Sequence, residues 1–191
     1  KLFNDMKMFL GYEKVDFFPS WETLPFERIS PGVETMGKRL RVLHRLLTCD
    51  ESLEVIVTSA RALVQKLPNK EKILPISLKT RDLIDQRELL EKLIAFGYKR
   101  EYQVEHRGEV AVRGSIIDIW PSTTDSPIRV DLWGDEVERL CEFGVADQRT
   151  KHSVDKVEIF PCRELVLNSE MIETAESMVD RQNWGSTEWE R

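Results

Sequence analysis

Residues 128–140 read IRVDLWGDEVERL. Ile128, Val130 and Leu132 alternate with Arg129, Asp131 and Trp133, the period of two that a half-buried strand shows. Gly134-Asp135 then reverses the chain, with glycine first, where a type II′ turn needs positive φ. Glu136 to Leu140 returns as the partner strand. The stretch therefore predicts an antiparallel hairpin. It also raises a question, because with the aliphatic residues inward an arginine, a carboxylate and a tryptophan share the outer face.

The hairpin belongs to a series. From Tyr98 to about Phe143, YQVEHRGEVAVRG, SIIDIWPS, IRVDLW and EVERLCEF follow one another with short connections, which predicts antiparallel β. Just before them, Asp85 with Glu88 opens a helix in the manner of a capping box. Leu89, Leu90, Leu93 and Ile94 form its apolar face, and Gly97 ends it. Nearer the start the pattern differs. Leu2, Phe3, Met6, Phe9 and Leu10 mark a helix capped by Gly11, and Val15 to Phe18 a buried strand. Val33, Met36, Leu40, Leu43 and Leu47 mark a second helix, and Val55 to Val57 a second strand. Ser59 is the N-cap of a helix through Leu67. Strand and helix alternating in this way predict a parallel α/β sheet. VEIFP at 157–161 reads as one more strand returning to that sheet, and 164–191 as an acidic helix on Met171, Ala175, Met178 and Val179. The expected division is an α/β unit at 1–75, a small antiparallel α+β unit at 76–155, and a return strand with the start of a next segment at 156–191.

Composition narrows the function. The chain has 191 residues, 41% hydrophobic, 32% charged, with a formal net charge of -6. That suits a real core, and it disfavours generic nucleic-acid binding, which needs clustered Lys and Arg. Cys49, Cys141 and Cys162 are odd in number and lack metal spacing, so a reducing, cytoplasmic setting is expected. No run of 18 apolar residues predicts a membrane span. The opening KLFNDMKMFLG reads as the cut start of a fragment.

Several motifs invite chemistry. Gly32 to Arg39, GVETMGKR, fits G-x-x-x-x-G-K but puts Arg39 where a hydroxyl should meet Mg²⁺. Met36, Leu40 and Leu43 indicate a helix already running through Gly37, so no phosphate loop is expected. Asp135-Glu136 sits on a turn rather than at the end of a buried parallel strand. His44, His106 and His152 have no partners at ligand or triad spacing. Asp118 reads as a strand-face carboxylate paired with an arginine. Lys99, Arg100 and Arg107, near Tyr98 and Tyr102, are candidate nucleic-acid contacts, blunted by Glu101, Glu105 and Glu109. Arg and Trp are enriched at the energetic centres of protein interfaces, which gives Arg129 and Trp133, with Arg113 on a neighbouring strand, a reason to be outward.

These residues carry a resemblance. RGEVAVRGSIIDIWPSTTDSPIRVDLWGDEVERL closely resembles UvrB around its second domain, where R-G-x-x-x-V-R-G-x-x-x-x-I-F-P is followed by I-R-[VL]-[ED]-F-[FW]-x-D-E-I. DFFPSWETLPFERISPGVETMGKRLRVLHRL and GYKREYQVEHRGEVAVRG are more similar still to the transcription-repair coupling factor family. The likeness runs over most of residues 1–165. UvrB carries a tyrosine-rich, DNA-clamping hairpin after its FFPS-like strand. Here SWETLPFERISPG leaves no room for one, which favours the coupling factors, whose UvrB-like module lacks both hairpin and ATP site.

The resemblance implies a partial, degenerate RecA-like (P-loop-type) parallel sheet with an inserted small α+β antiparallel domain like UvrB domain 2. It implies docking of the damage sensor UvrA through Arg113, Arg129 and Trp133, the last usually Phe in relatives. It implies no catalysis and no cofactor in these residues, with ATP, Mg²⁺, DNA and RNA polymerase served by other parts of an ATP-driven DNA translocase. The alternative is a truncated UvrB-type ATPase that binds damaged DNA.

Overall fold

The computed structural model of the chain describes residues 1–23, 30–68 and 73–164, together with Glu173, Glu176 and Ser177. The expected helix within 164–191 lies outside the described residues but for these few.

The first unit comprises α1 (Leu2–Leu10), β1 (Val15–Phe18), α2 (Val33–Leu47), β2 (Val55–Thr58) and α3 (Ala60–Leu63). β1 and β2 run parallel, with Val15 opposite Val55 and Phe18 opposite Thr58. α2 is amphipathic and covers them. Phe18, Leu40, Val42, Leu43, Ala62, Ile73 and Phe160 close one core. α1 buries no residue, and Phe3 meets the Phe17 ring at 5.5 Å. Gly11, at φ 106, ends it as expected. The Ser59 hydroxyl accepts the Ala62 N–H, but α3 stops after one turn, short of Leu67. Among the described residues the expected parallel sheet amounts to two strands.

The second unit comprises β3 (Ile76–Lys79), α4 (Gln86–Ala95), β4 (Lys99–Arg100), β5 (Glu109–Arg113), β6 (Ile116–Ile119), β7 (Ile128–Trp133), β8 (Glu136–Phe143), β9 (Thr150–Ser153) and β10 (Lys156–Ile159). Six strands form one sheet in the order β4-β5-β6-β7-β8-β9, antiparallel except between β4 and β5. The opening hairpin is there, and Gly134 adopts φ 62 in its two-residue turn. The Asp85 carboxylate accepts the Arg87 and Glu88 N–H groups at the start of α4. Glu88 pairs with Lys92, so the forward half of the capping box carries the cap. One sheet face, with Val110, Ile117, Ile119, Ile128, Val130, Leu132, Val137 and Leu140, packs in a second core with Leu89 and Leu93 of α4.

VEIFP departs from expectation. β10 does not rejoin the first sheet; it pairs antiparallel with β3, Ile159 opposite Ile76 and Val157 opposite Leu78. The ISLK run supplies alternating apolar residues for this pairing, and Leu78, Val157 and Ile159 enter the second core. Phe160, one residue on, enters the first. Successive side chains thus fill the two cores from one strand end, since strand neighbours point to opposite sides.

The glycine-lysine motif confirms a structural role. Gly37 lies within α2, and a Cβ there would stand 2.1 Å from the Ser122 carbonyl oxygen. Lys38 pairs with Glu34 one turn back. Arg39 is fully buried, bonds Glu164, donates to the Pro19 carbonyl at 2.7 Å and lies 4.2 Å from the Phe18 ring centre. This guanidinium fastens α2 to the segment after β10.

Candidate functional site: the outer face of the six-stranded sheet

Residues paired across antiparallel strands point to the same side, so the register maps the outer face row by row. Ala111, Asp118, Arg129 and Cys141 form one row. Arg113, Ile116, Asp131 and Arg139 form the next. Trp133 and Glu136 form the last, at the hairpin tip. A bulge in β8 between the second and third rows puts Glu138 and Arg139 both outward, while Val137 and Leu140 stay inward.

The rows differ sharply in how free their charges are. Asp118 is buried, with 1% of its side chain exposed. It accepts Arg129 Nε at 2.7 Å and Nη2 at 2.9 Å, a bidentate pair. It also accepts Arg113 Nη2 at 2.5 Å. Arg129 spends a further donor, Nη1, on the Gln148 carbonyl at 3.0 Å, and its guanidinium lies 4.7 Å from the Phe143 ring centre. The Asp118 hydrogen bonds hold its pKa above the ordinary arginine value although burial opposes this. Only 13% of its side chain is exposed, against 38% for Arg113. In the second row Arg139 grips Asp131 at 2.6 Å. Trp133 is 79% exposed.

The three expected docking residues therefore share a face, but not a condition. Trp133 stands open, Arg113 is half free, and Arg129 is not the open fork expected of it, because Asp118, Gln148 and Phe143 enclose it. The pairing of Asp118 with arginine was legible; that it takes two arginines was not.

The candidate nucleic-acid residues are not brought into one patch. Lys99 and Arg107 line a cleft with His106 and Glu109, while Arg100, next to Lys99 on β4, points to the other side. Arg107 also pairs with Asp125. A second cleft lies between α2 and residues 122–125, lined by Lys38, Arg41, Arg107, Asp16, Glu34 and Asp125 among others. Its three named cations each hold one of those carboxylates, and Lys7, which also lines the cleft, lies over the Phe3 and Tyr12 rings. Among the described residues no group of three His, Cys, Asp or Glu is placed to hold a metal, and no helix is long and apolar enough to cross a membrane. His44 packs edge-on against Phe160 and His106 contacts Glu109. Burial pushes the Cys162 thiol up to about 12, so it is unreactive near neutral pH.

A profile of the UvrB interaction domain matches residues 76–165. A transcription-repair-coupling factor of Mycobacterium bovis is 40% identical over 177 residues, covering 88% of this chain and 14% of that protein. The Haemophilus influenzae protein of the same name is 33% identical over 168 residues, 86% of this chain and 14% of its own length. One from Staphylococcus aureus is 30% identical over 176 residues, 90% and 15% respectively. The chain thus spans about one-seventh of the length of these curated relatives.

Proposed function

We propose that the unit formed by residues 76–165, which match the UvrB interaction domain, docks the damage sensor UvrA through the outer face of its sheet. The observation that carries the reading is Trp133. An indole 79% exposed on a sheet strand, one row from a half-exposed arginine, is a large anchor held at low entropy cost. Arg113 and Trp133 make the direct contacts. Arg129 acts mainly from beneath, by fixing Asp118 and through it Arg113.

The chain is a homologue of transcription-repair-coupling factors, and the wider reading follows from that kinship. We take residues 1–75 as part of a degenerate RecA-like layer and 76–155 as its inserted docking domain. The parent is then an ATP-driven translocase that displaces stalled RNA polymerase and recruits UvrA for repair. The rival, a UvrB-type ATPase, finds little support in these residues. The G-x-x-x-x-G-K sequence is helix interior, and Arg39 occupies the hydroxyl position as a buried ion pair.

Calorimetric titration of the chain with purified UvrA tests the docking reading. Wild type binds, and Trp133→Ala and Arg113→Ala each weaken binding by at least about tenfold. Equal affinity for all three proteins would refute the reading.

A further inference from the structure

The outer face continues past the hairpin. Residues 81–84, between β3 and α4, lie along the start of β8 like a short extra strand. Arg81 N–H donates to the Val137 carbonyl at 2.8 Å, Val137 N–H to Asp82 at 2.9 Å, and Ile84 N–H to Asp135 at 2.8 Å. Leu83 forms an antiparallel bridge with Glu136. Cross-strand partners share a face, so Leu83, Glu136 and Trp133 make a single row across the tip. Leu83 and Trp133 are two strand spacings apart, about 10 Å between Cα atoms.

The composition of this row is unusual. Leu83 is 79% exposed, the same as Trp133. Among the described residues the hydrogen bonds that pin the segment to β8 run through backbone atoms and do not use the Leu83 side chain. Between the two apolar groups stands Glu136, exposed and with no cation of the described residues in salt-bridge contact. It contrasts with the two carboxylates below it. Asp131 is held by Arg139, and Asp118 by Arg113 and Arg129. The tip row thus displays an anion without a salt-bridge cation among the described residues, flanked by apolar walls and one row from a half-free cation.

We propose that the Leu83–Glu136–Trp133 row is a second contact element of the docking face, and that it seats a lysine or arginine side chain of the partner. The methylene stem of such a side chain packs between leucine and indole while its charged head meets Glu136. The indole face adds a cation–π contact. The complementary charges, Arg113 below and Glu136 at the tip, fix which way round the partner lies. The inference rests on the docking reading and extends it to residues outside Arg113, Arg129 and Trp133.

The test uses the chain and purified UvrA, with Glu136→Lys, Glu136→Gln and Leu83→Ala titrated beside wild type and Arg113→Ala. The expected result is that Glu136→Lys weakens binding at least about tenfold at low salt, with part of the loss recovered at high salt as the new repulsion is screened. Glu136→Gln and Leu83→Ala each cost about threefold to tenfold. Unchanged thermal melting of the three variants confirms that the fold is intact. If wild type binds and Arg113→Ala does not, yet Glu136→Lys and Leu83→Ala bind like wild type, this inference is overturned and the docking reading survives. If wild type fails to bind, both fall.

Discussion

The two ends of the outer sheet face were built from the same alternating strands, yet they ended in opposite states. At one end Phe143 and Ala111 are covered by Val104 and Trp120, and Arg129 is roofed by the Gln148 carbonyl. At the other, Trp133, Glu136 and Leu83 stand in solvent. The difference comes from connections. The long segments 101–108 and 144–149 fold back over the first end, whereas two-residue turns at Gly114-Ser115 and Gly134-Asp135 leave, among the described residues, no connecting segment to fold over the second. An outward position in a strand pattern states which side a residue takes, and a neighbouring loop decides whether that side is wet.

Substitutions break this contrast in graded fashion. Asp118→Ala has the largest effect, because it strands a largely buried Arg129 without its counter-charge. Unfolding free energy should drop by about 3–5 kcal/mol, read by urea denaturation. Arg129→Ala is next, at roughly 2 kcal/mol, since Asp118 keeps Arg113 as a partner. Its stability loss sets it apart from a pure contact residue. Trp133→Ala and Arg113→Ala reverse the pattern. Trp133→Ala should leave stability within about 0.5 kcal/mol while binding collapses. A melting temperature that falls with Trp133→Ala as far as with Asp118→Ala would erase the distinction between the ends.

The smallest effect concerns pH. Burial alone would raise the Glu109 carboxyl, but N–H groups of Glu105 and His106 bond to it and outweigh burial, lowering it from its ordinary value of 4.5. A carboxyl depressed in the folded state stabilises fully above its unfolded value and loses that contribution as pH falls through the folded one. Amide protection at Glu105 and His106 should therefore hold at neutral pH and decline below the ordinary 4.5. Glu109→Gln should remove that pH dependence.

Local features of the fold were legible in the sequence. The Gly134 turn, the Asp85 cap, the Gly11 stop and the alternation of β7 each depend on a few adjacent residues and a fixed period. The face of Arg129 and Trp133 followed from that period. What closes over Arg129 did not, because Asp118, Phe143 and Gln148 come from three other segments and no spacing announces them. Leu83 carries no sequence signal for the same reason. A lone leucine in TRDLID has no periodic companion, and its bridge to Glu136 spans more than fifty residues. The destination of β10 differs from the expected one because a short apolar run carries no label for its partner, and the equally short β3 pairs with it.

The split between Ile159 and Phe160 has a practical corollary. Anyone trimming the polypeptide to the stretch 76–165 would strip Phe160 of Phe18, Leu40 and Leu43 and uncover Ser122 where Gly37 now abuts it. Such a trimmed piece would present a greasy scar and stick to itself there, so pull-downs made with it would confound self-association with true partner capture.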